Sequence, residues 1–250
     1  MAGGLGTRLA EETSIRPKPM VEIGGKPMLW HIMKIYADQG VTEFIVCLGY
    51  KGFQIKEYFS NYFLHTSDIS FNLSNNSVEI HSTSSEDWKV TLVDTGDLTQ
   101  TGGRLKRIKK YLPEGDFYMT YGDGLADVNL ADLKNSHVSS GAMATVTVVQ
   151  PKGRFGVIDL EEGRIRGFQE KPKENSAHVS AGYFVISTAC LDLIEDDHTS
   201  WEELTLPRLA SNNQLNAYFH SGFWQPMDTL RDKNLLESLW NDGKPPWKKK

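Results

Sequence analysis

Gly3-Gly4-Leu5-Gly6-Thr7-Arg8 opens the chain, and Pro17-Lys18-Pro19-Met20 comes close behind it. Glycines let backbone N–H groups approach phosphate oxygens closely, while an arginine and a proline-flanked lysine supply charge that backbone dipoles alone leave uncompensated. Together the two runs predict a grip for a polyphosphate, with a nucleoside triphosphate as the ligand. The loop is neither of two better-known phosphate loops: GxxxxGK[ST] is absent, and Gly4-x-Gly6-x-x-Leu9 lacks the third glycine of the dinucleotide fingerprint. Alone, a glycine turn before a helix is ordinary turn chemistry; Arg8 and Lys18 on its flanks turn the reading toward a ligand.

Outward from this loop, helical and strand-like periodicities alternate, which predicts βαβ units on a mostly parallel, Rossmann-like α/β sheet flanked by helices. Leu29 to Tyr36 carries apolar residues at helical spacing and stops near Gly40, and Phe44 to Leu48 reads as a buried strand. Phe53 to Phe63 reads as a helix, and 116–121 and 142–149 as strands, the first ending at Gly122-Asp123-Gly124. From Gly153 the pattern shortens to strands near 154–158, 164–169 and 181–187, with helices near 202–211 and 228–240. One domain over 1–250 is expected, with a nucleotide-binding half over 1–150 and a second half over 151–250 that includes the C-terminal helices.

With 39% hydrophobic and 24% charged residues, the 250-residue chain can bury a substantial core, and nothing in it suggests disorder or a membrane span. A formal charge of -5 argues against nucleic acid as a partner and leaves room for a local basic pocket. Cys47 and Cys190 lie in apolar runs without CxxC spacing, so both are expected buried and reduced, and the seven histidines show no metal-binding pattern. A cytoplasmic location follows by default, and Lys248-Lys249-Lys250 reads as a solvated tail.

The runs GGLGTRL (3–9) and PKPMVEIGGKPML (17–29) resemble the signature of sugar-1-phosphate nucleotidylyltransferases. DTGDLTQTGGRLKR (94–107), TYGDGLAD (120–127), GRFGVID (153–159), FQEKPK (168–173), SAGYFVI (180–186) and GFWQPMDTLRDK (222–233) are similar, in the same order, to the branch of that family that uses CTP and glucose 1-phosphate. The resemblance implies a nucleotide-diphospho-sugar transferase fold, a homo-oligomer, and CDP-glucose and pyrophosphate as products. It also implies a hydrophobic strand before the glycine loop. The chain begins Met1-Ala2-Gly3, so the fold is expected without that first strand, from a shortened or displaced start or with impaired stability and activity.

The implied chemistry is attack by a sugar-phosphate oxygen on the α-phosphorus, which needs positioning and charge stabilisation and no side-chain nucleophile. Arg8 is expected on the β- and γ-phosphates and Lys18 between the α-phosphate and the incoming phosphate. Ala2, Gly3, Gly4, Gly6, Thr7, Thr99, Gly102, Arg104 and Gly122 complete the nucleotide site. Arg104 has donors only, which suit O2 and N3 of cytosine and oppose the N3–H of uracil or thymine; it could equally belong to the basic helix face it shares with Lys106 and Arg107. Asp123 and Asp228 are the expected carboxylates for Mg2+, although an aspartate in a turn is often a turn former and Asp228 could cap a helix. Gly156, Glu170, Lys171 and Gly182, with Lys18, are expected to hold the sugar phosphate, and Tyr183 and Trp224 are weaker candidates, since aromatics in strands and loops are often core. Two alternatives stand beside this reading: the same chemistry with dTTP or UTP, and a catalytically idle homologue that binds nucleotide or sugar and regulates a partner.

Overall fold

The computed structural model describes residues 1–4, 10–151, 157–161, 164–169 and 177–248. After helix α1 (Ala10–Thr13), the small hairpin β1 (Glu22–Ile23) and β2 (Lys26–Pro27) leads into α2 (Met28–Ala37), where Pro27 sets an extended entry. That helix buries Met28, Leu29, Ile32, Met33, Ile35 and Tyr36, and each such apolar side chain contributes about 1.5–3 kcal/mol when fully buried. The β-rich run Glu43-Phe-Ile-Val-Cys-Leu48 forms β3 (Glu43–Leu48). Next come α3 (Gly52–Ser60) and α4 (Tyr62–Thr66), two helices broken at Asn61 where one was expected. An unanticipated hairpin of β4 (Ser67–Asn72) and β5 (Ser77–Thr83) follows, then β6 (Lys89–Asp94), which pairs parallel with β3.

The second half of the scaffold contains α5 (Thr101–Ile108), β7 (Asp116–Thr120), β8 (Gly124–Ala126), α6 (Leu130–Ser140) and β9 (Ala144–Val149). Asn129 caps α6 by accepting from Ala131 N and Asp132 N, and Gly141 ends it at φ 63°. β10 (Val157–Glu161) and β11 (Arg164–Gln169) form a separate antiparallel ladder, the first a few residues beyond its expected position. β12 (Val179–Ser187), a π turn at Trp201–Thr205, α7 (Leu206–Ser211), β13 (Leu215–Phe219), β14 (Trp224–Pro226) and α8 (Leu230–Asn241) complete the order.

The four-stranded sheet has the order β13-β9-β12-β7. β13 and β9 pair parallel, whereas β12 runs antiparallel to both β9 and β7, so the sheet is mixed. Strands β7, β9 and β13 therefore point the same way, and their carboxyl ends share one edge, the usual place for a ligand in such sheets. Met1 to Gly4 run between this sheet and the β3–β6 pair. The Met1 amine donates to Thr120 O (2.8 Å), Ala2 N donates to Cys47 O (3.0 Å), and Ala2 forms a single parallel bridge with Leu48. Where the resemblance implies a first strand, the described residues supply one bridge that carries Gly3 and Gly4 to the ends of β3 and β7.

Cys47 and Cys190 are free and buried, as expected, and Lys248 is exposed. Among the described residues no helix is long and apolar enough to cross a membrane.

Candidate active site

Lys18 occupies a single 3-10 turn, Lys18–Met20, entered from Pro17 at φ -65° and ψ 147°. Proline on both sides narrows the backbone choices, and burial of Pro19 and Met20 fixes the turn against the core. Asp123 lies in the turn between β7 and β8. The antiparallel β14–β8 ladder pairs Pro226 with Gly124, and Met227 N donates to Asp123 O (2.8 Å), so this register delivers Asp228 beside Asp123. Lys18 Nζ donates to Asp123 Oδ2 (2.9 Å) and to Asp228 Oδ1 (2.7 Å). Burial alone would lower the Lys18 ammonium, yet the two carboxylates hold it above its ordinary value.

Two carboxylates sharing one ammonium leave net negative charge, and hard oxygen donors suit a divalent cation that keeps water and completes its shell with phosphate oxygens. Among the described residues no group of three His, Cys, Asp or Glu forms an all-protein cage. The donor set therefore fits a cation that binds together with its substrate.

Ala2, Gly3, Gly4, Thr99, Arg104 and Gly122 line one cleft of about 490 Å³, together with Lys18, Asp123 and Asp228. Gly6, Thr7, Arg8, Gly156, Glu170 and Lys171 lie outside the described residues.

Three of the expected contacts have different surroundings. Gly102 packs beneath the loop before the π turn: a Cβ there would meet Thr199 O at 2.6 Å, so glycine serves close packing of α5 rather than the cleft. Tyr183 is fully buried, donates to Gly124 O (2.9 Å) and stacks on Tyr36, which makes it a core residue instead of a sugar contact. Gly182, at φ 79°, sits behind Tyr121, where a Cβ would come within 2.7 Å of the ring.

Arg104 is buried and its guanidinium is already engaged. One terminal nitrogen donates to Leu48 O (3.0 Å) and Thr95 Oγ1 (2.8 Å), and the other to Gly3 O (3.1 Å) and Asp97 O (3.2 Å). It ties the glycine loop to the end of β3 and to the Asp97 loop, so reading a base would require donors to leave these acceptors.

Thr101 and Tyr121 also line the cleft, and Tyr121 was not anticipated from sequence. Both donate a hydroxyl hydrogen to Glu202, which likewise lay outside the sequence reading. Burial, reinforced by the Glu202 charge, pushes the Tyr121 phenol far above its ordinary value and keeps it a donor. The strand exit that ends in Tyr-Gly-Asp-Gly was the available signal for Tyr121; a surface-type Trp-Glu-Glu-Leu run gave none for Glu202.

A mixed sheet that gathers glycines, a lysine and two aspartates from distant parts of one chain is the arrangement of a phosphate-handling transferase. The sequence model of the nucleotidyl transferase family matches residues 1–242, and the chain belongs to that family. More particularly, it is 55% identical over 249 residues to the glucose-1-phosphate cytidylyltransferases of Salmonella typhi and Salmonella typhimurium, covering 99% of this chain and 97% of each relative. Its fold is shared with HddC from Yersinia pseudotuberculosis, with a TM-score of 0.69 at 23% identity over 96% of both chains.

Proposed function

We propose that the chain transfers the cytidylyl group of CTP to α-D-glucose 1-phosphate, giving CDP-glucose and pyrophosphate. Residues 1–150 form the nucleotide side and 151–250 the sugar side. The observation that carries this reading is the meeting of Lys18 with Asp123 and Asp228, 105 and 210 positions further on, in the wall of a glycine-lined cleft. Near-full-length similarity to cytidylyltransferases supports CTP and glucose 1-phosphate over dTTP or UTP.

One oxygen of the sugar phosphate attacks the α-phosphorus. A new P–O bond forms while the bond to the bridging oxygen of pyrophosphate breaks, with attacking and leaving oxygens roughly in line. Lys18 turns its ammonium from the carboxylates toward the α-phosphate and the sugar phosphate, drawing two anions into contact distance. Asp123 and Asp228 hold Mg2+, which when bound neutralises charge on the phosphate oxygens. Arg8 takes the β- and γ-phosphates, and Glu170, Lys171 and Gly156 surround the sugar phosphate. The Arg104 nitrogen bonded to Gly3 O and Asp97 O is the one that turns to cytosine, because both acceptors belong to cleft-lining residues. In this reading the enzyme works in the cytoplasm as a homo-oligomer, which light scattering checks.

Incubating the chain with Mg2+, glucose 1-phosphate and CTP, UTP or dTTP, with products identified by mass, tests the proposal. CDP-glucose is expected, with CTP preferred by about 10² or more. No CDP-glucose, or equal rates with the three nucleotides, would overturn it.

A further inference from the structure

Glu202 joins the two walls of the cleft. Its Oε1 accepts the Tyr121 hydroxyl, and its Oε2 accepts the hydroxyls of Thr101 and of Ser200 (3.2 Å). Tyr121 leaves β7 directly before Gly122-Asp123, on the side of the paired carboxylates. Thr101 opens α5 directly after the Asp97–Gln100 loop, on the side of Arg104, and both residues line the cleft.

An exposed glutamate ordinarily adds little, but this one is held from behind as well as in front. Trp201 is fully buried, its ring lies edge-on to Phe184, and its backbone N–H donates to Thr101 Oγ1 (2.9 Å). Thr205 N reaches back five residues to Ser200 O (3.3 Å), the widened turn that recurs at functional sites. The same segment grips the start of α5 twice more, through Gln100 N to Asp197 O (2.8 Å) and Gly103 N to Thr199 O (3.2 Å). The carboxylate is thus the far end of a fixed bracket, and its two oxygens reach opposite sides of one cleft.

We infer that Glu202 is a positioning residue for the nucleotide. By spacing the Asp97–Thr101 loop from the Tyr121-Gly122-Asp123 turn, it sets the width of the site and so its affinity and selectivity for the base, without touching the ligand. The inference rests on the cytidylyl-transfer reading and adds a determinant of nucleotide choice to it.

The test uses the full chain with Glu202→Ala, Glu202→Gln, Tyr121→Phe and the Glu202→Ala/Tyr121→Phe pair. KM and kcat are measured for CTP and glucose 1-phosphate separately, together with the CTP-to-UTP ratio of kcat/KM. Glu202→Ala is expected to raise the KM for CTP about ten-fold and to lower the CTP preference similarly, the effect of losing one charge-assisted hydrogen bond. The KM for glucose 1-phosphate is expected to move by less than about two-fold, since nothing on that side is altered. Glutamine keeps an acceptor oxygen for Tyr121 and should recover CTP binding to within about three-fold of wild type. Tyr121→Phe should imitate Glu202→Ala, and the pair should add little to either, because both cut one connection.

A purely structural role would lower kcat and leave the two KM values and the base ratio in place. That result, or Glu202→Gln behaving like Glu202→Ala, overturns the inference. Should Glu202→Ala fail to fold, Tyr121→Phe, which removes one oxygen, carries the same readouts. A wild-type chain that forms no CDP-glucose sinks the reaction assignment instead. CTP titrations followed by tryptophan fluorescence then decide the inference, with equal affinities in wild type and variants overturning it.

Discussion

At Lys18 one ammonium serves two carboxylates, with side-chain exposures of 11% for Lys18, 40% for Asp123 and 24% for Asp228. Because the aspartates remain partly solvated, the pairing adds little to stability, and the proposed reaction makes its removal a test of rate. Lys18→Met is expected to lower kcat/KM by about 10² to 10³, the usual cost of one lost electrostatic donor. The thermal midpoint should shift by only a few degrees, about 1 kcal/mol or less; a collapse of the midpoint comparable with the loss of rate would make Lys18 a structural strut. A pKa held above the ordinary lysine range means that the protonated form, and the stability it contributes, is lost only as pH rises beyond that range. Lys18 should therefore impose no pH dependence between about 6 and 9. These three residues were legible in the sequence because their types and motif contexts suit phosphate chemistry. Arg104 was legible as a donor-only cation but not in its burial or its partners, three of which are main-chain carbonyls that leave no side-chain trace. Tyr183 could have been placed in the core: the run from Ala181 to Ile186 is buried on both faces of its strand, and continuous apolar runs report two-sided burial.

Among the elements, α8 has the most direct bearing on the site, because its capping box adjoins Asp228. Asp232 is buried and accepts from Thr229 N (3.0 Å), Thr229 Oγ1 (2.8 Å), Asp228 N (3.2 Å) and Gln225 Nε2 (3.0 Å). The start of the helix and the main chain of Asp228 thus share one anchor. Asp232→Ala is expected to cost about 1–2 kcal/mol in stability through the lost cap and the donors left unpaired. If Asp228 holds Mg2+ as proposed, Asp232→Ala should also raise the Mg2+ concentration for half-maximal activity by about ten-fold or more, since groups that orient a metal-binding side chain matter on that scale. Thr229→Ala removes a comparable cap but leaves Asp232 on Asp228 N, so its Mg2+ requirement should move much less. Equal shifts in the two variants would mean that the cap acts on folding alone. Long periodic elements such as α2 and β3 were readable within a residue or two at each end. Helix α6 was not, because Leu130-Ala-Asp-Leu-Lys-Asn-Ser-His-Val-Ser-Ser140 has only a thin apolar face. The β4–β5 hairpin was not either: Ile69 and Phe71, and Val78 and Ile80 across the turn, alternate with polar residues only over these short runs, and Phe71, Val78 and Ile80 stay exposed, so no long buried face marks the hairpin.

Across the whole molecule, the cleft takes its groups from residue 1 to residue 228, and the two ends of the chain are also joined away from the site. The direction of β12 belongs to this scale. Its apolar run announces a buried strand, but no local signal says that it enters the sheet reversed between β7 and β9. His31 on α2 makes the joint between the ends. Its Nε2–H donates to Ile23 O (2.8 Å), which leaves Nδ1 as an acceptor for the Trp247 N–H (3.4 Å), and the ring lies edge-on to Trp240. Burial, with help from nearby Lys26 and Lys248, lowers His31 to about 4 from the ordinary 6.5. Between those values the unfolded chain binds the proton and the folded chain does not. Stability is accordingly unaffected by His31 above pH 6.5, declines as pH falls toward 4, and loses nothing further below that. A proton on Nδ1 would confront the Trp247 N–H and remove its acceptor. From pH 7 to pH 5 this single group should cost about 2 kcal/mol. Because carboxylates titrate near the same window, the measurement is a comparison: urea unfolding of wild type and His31→Gln at both pH values. Glutamine can keep a donor on Ile23 O but cannot take up the proton, so the variant should start less stable at pH 7 and lose about 2 kcal/mol less than wild type on going to pH 5. Parallel losses in the two proteins would show that His31 does not carry the acid sensitivity of the joint.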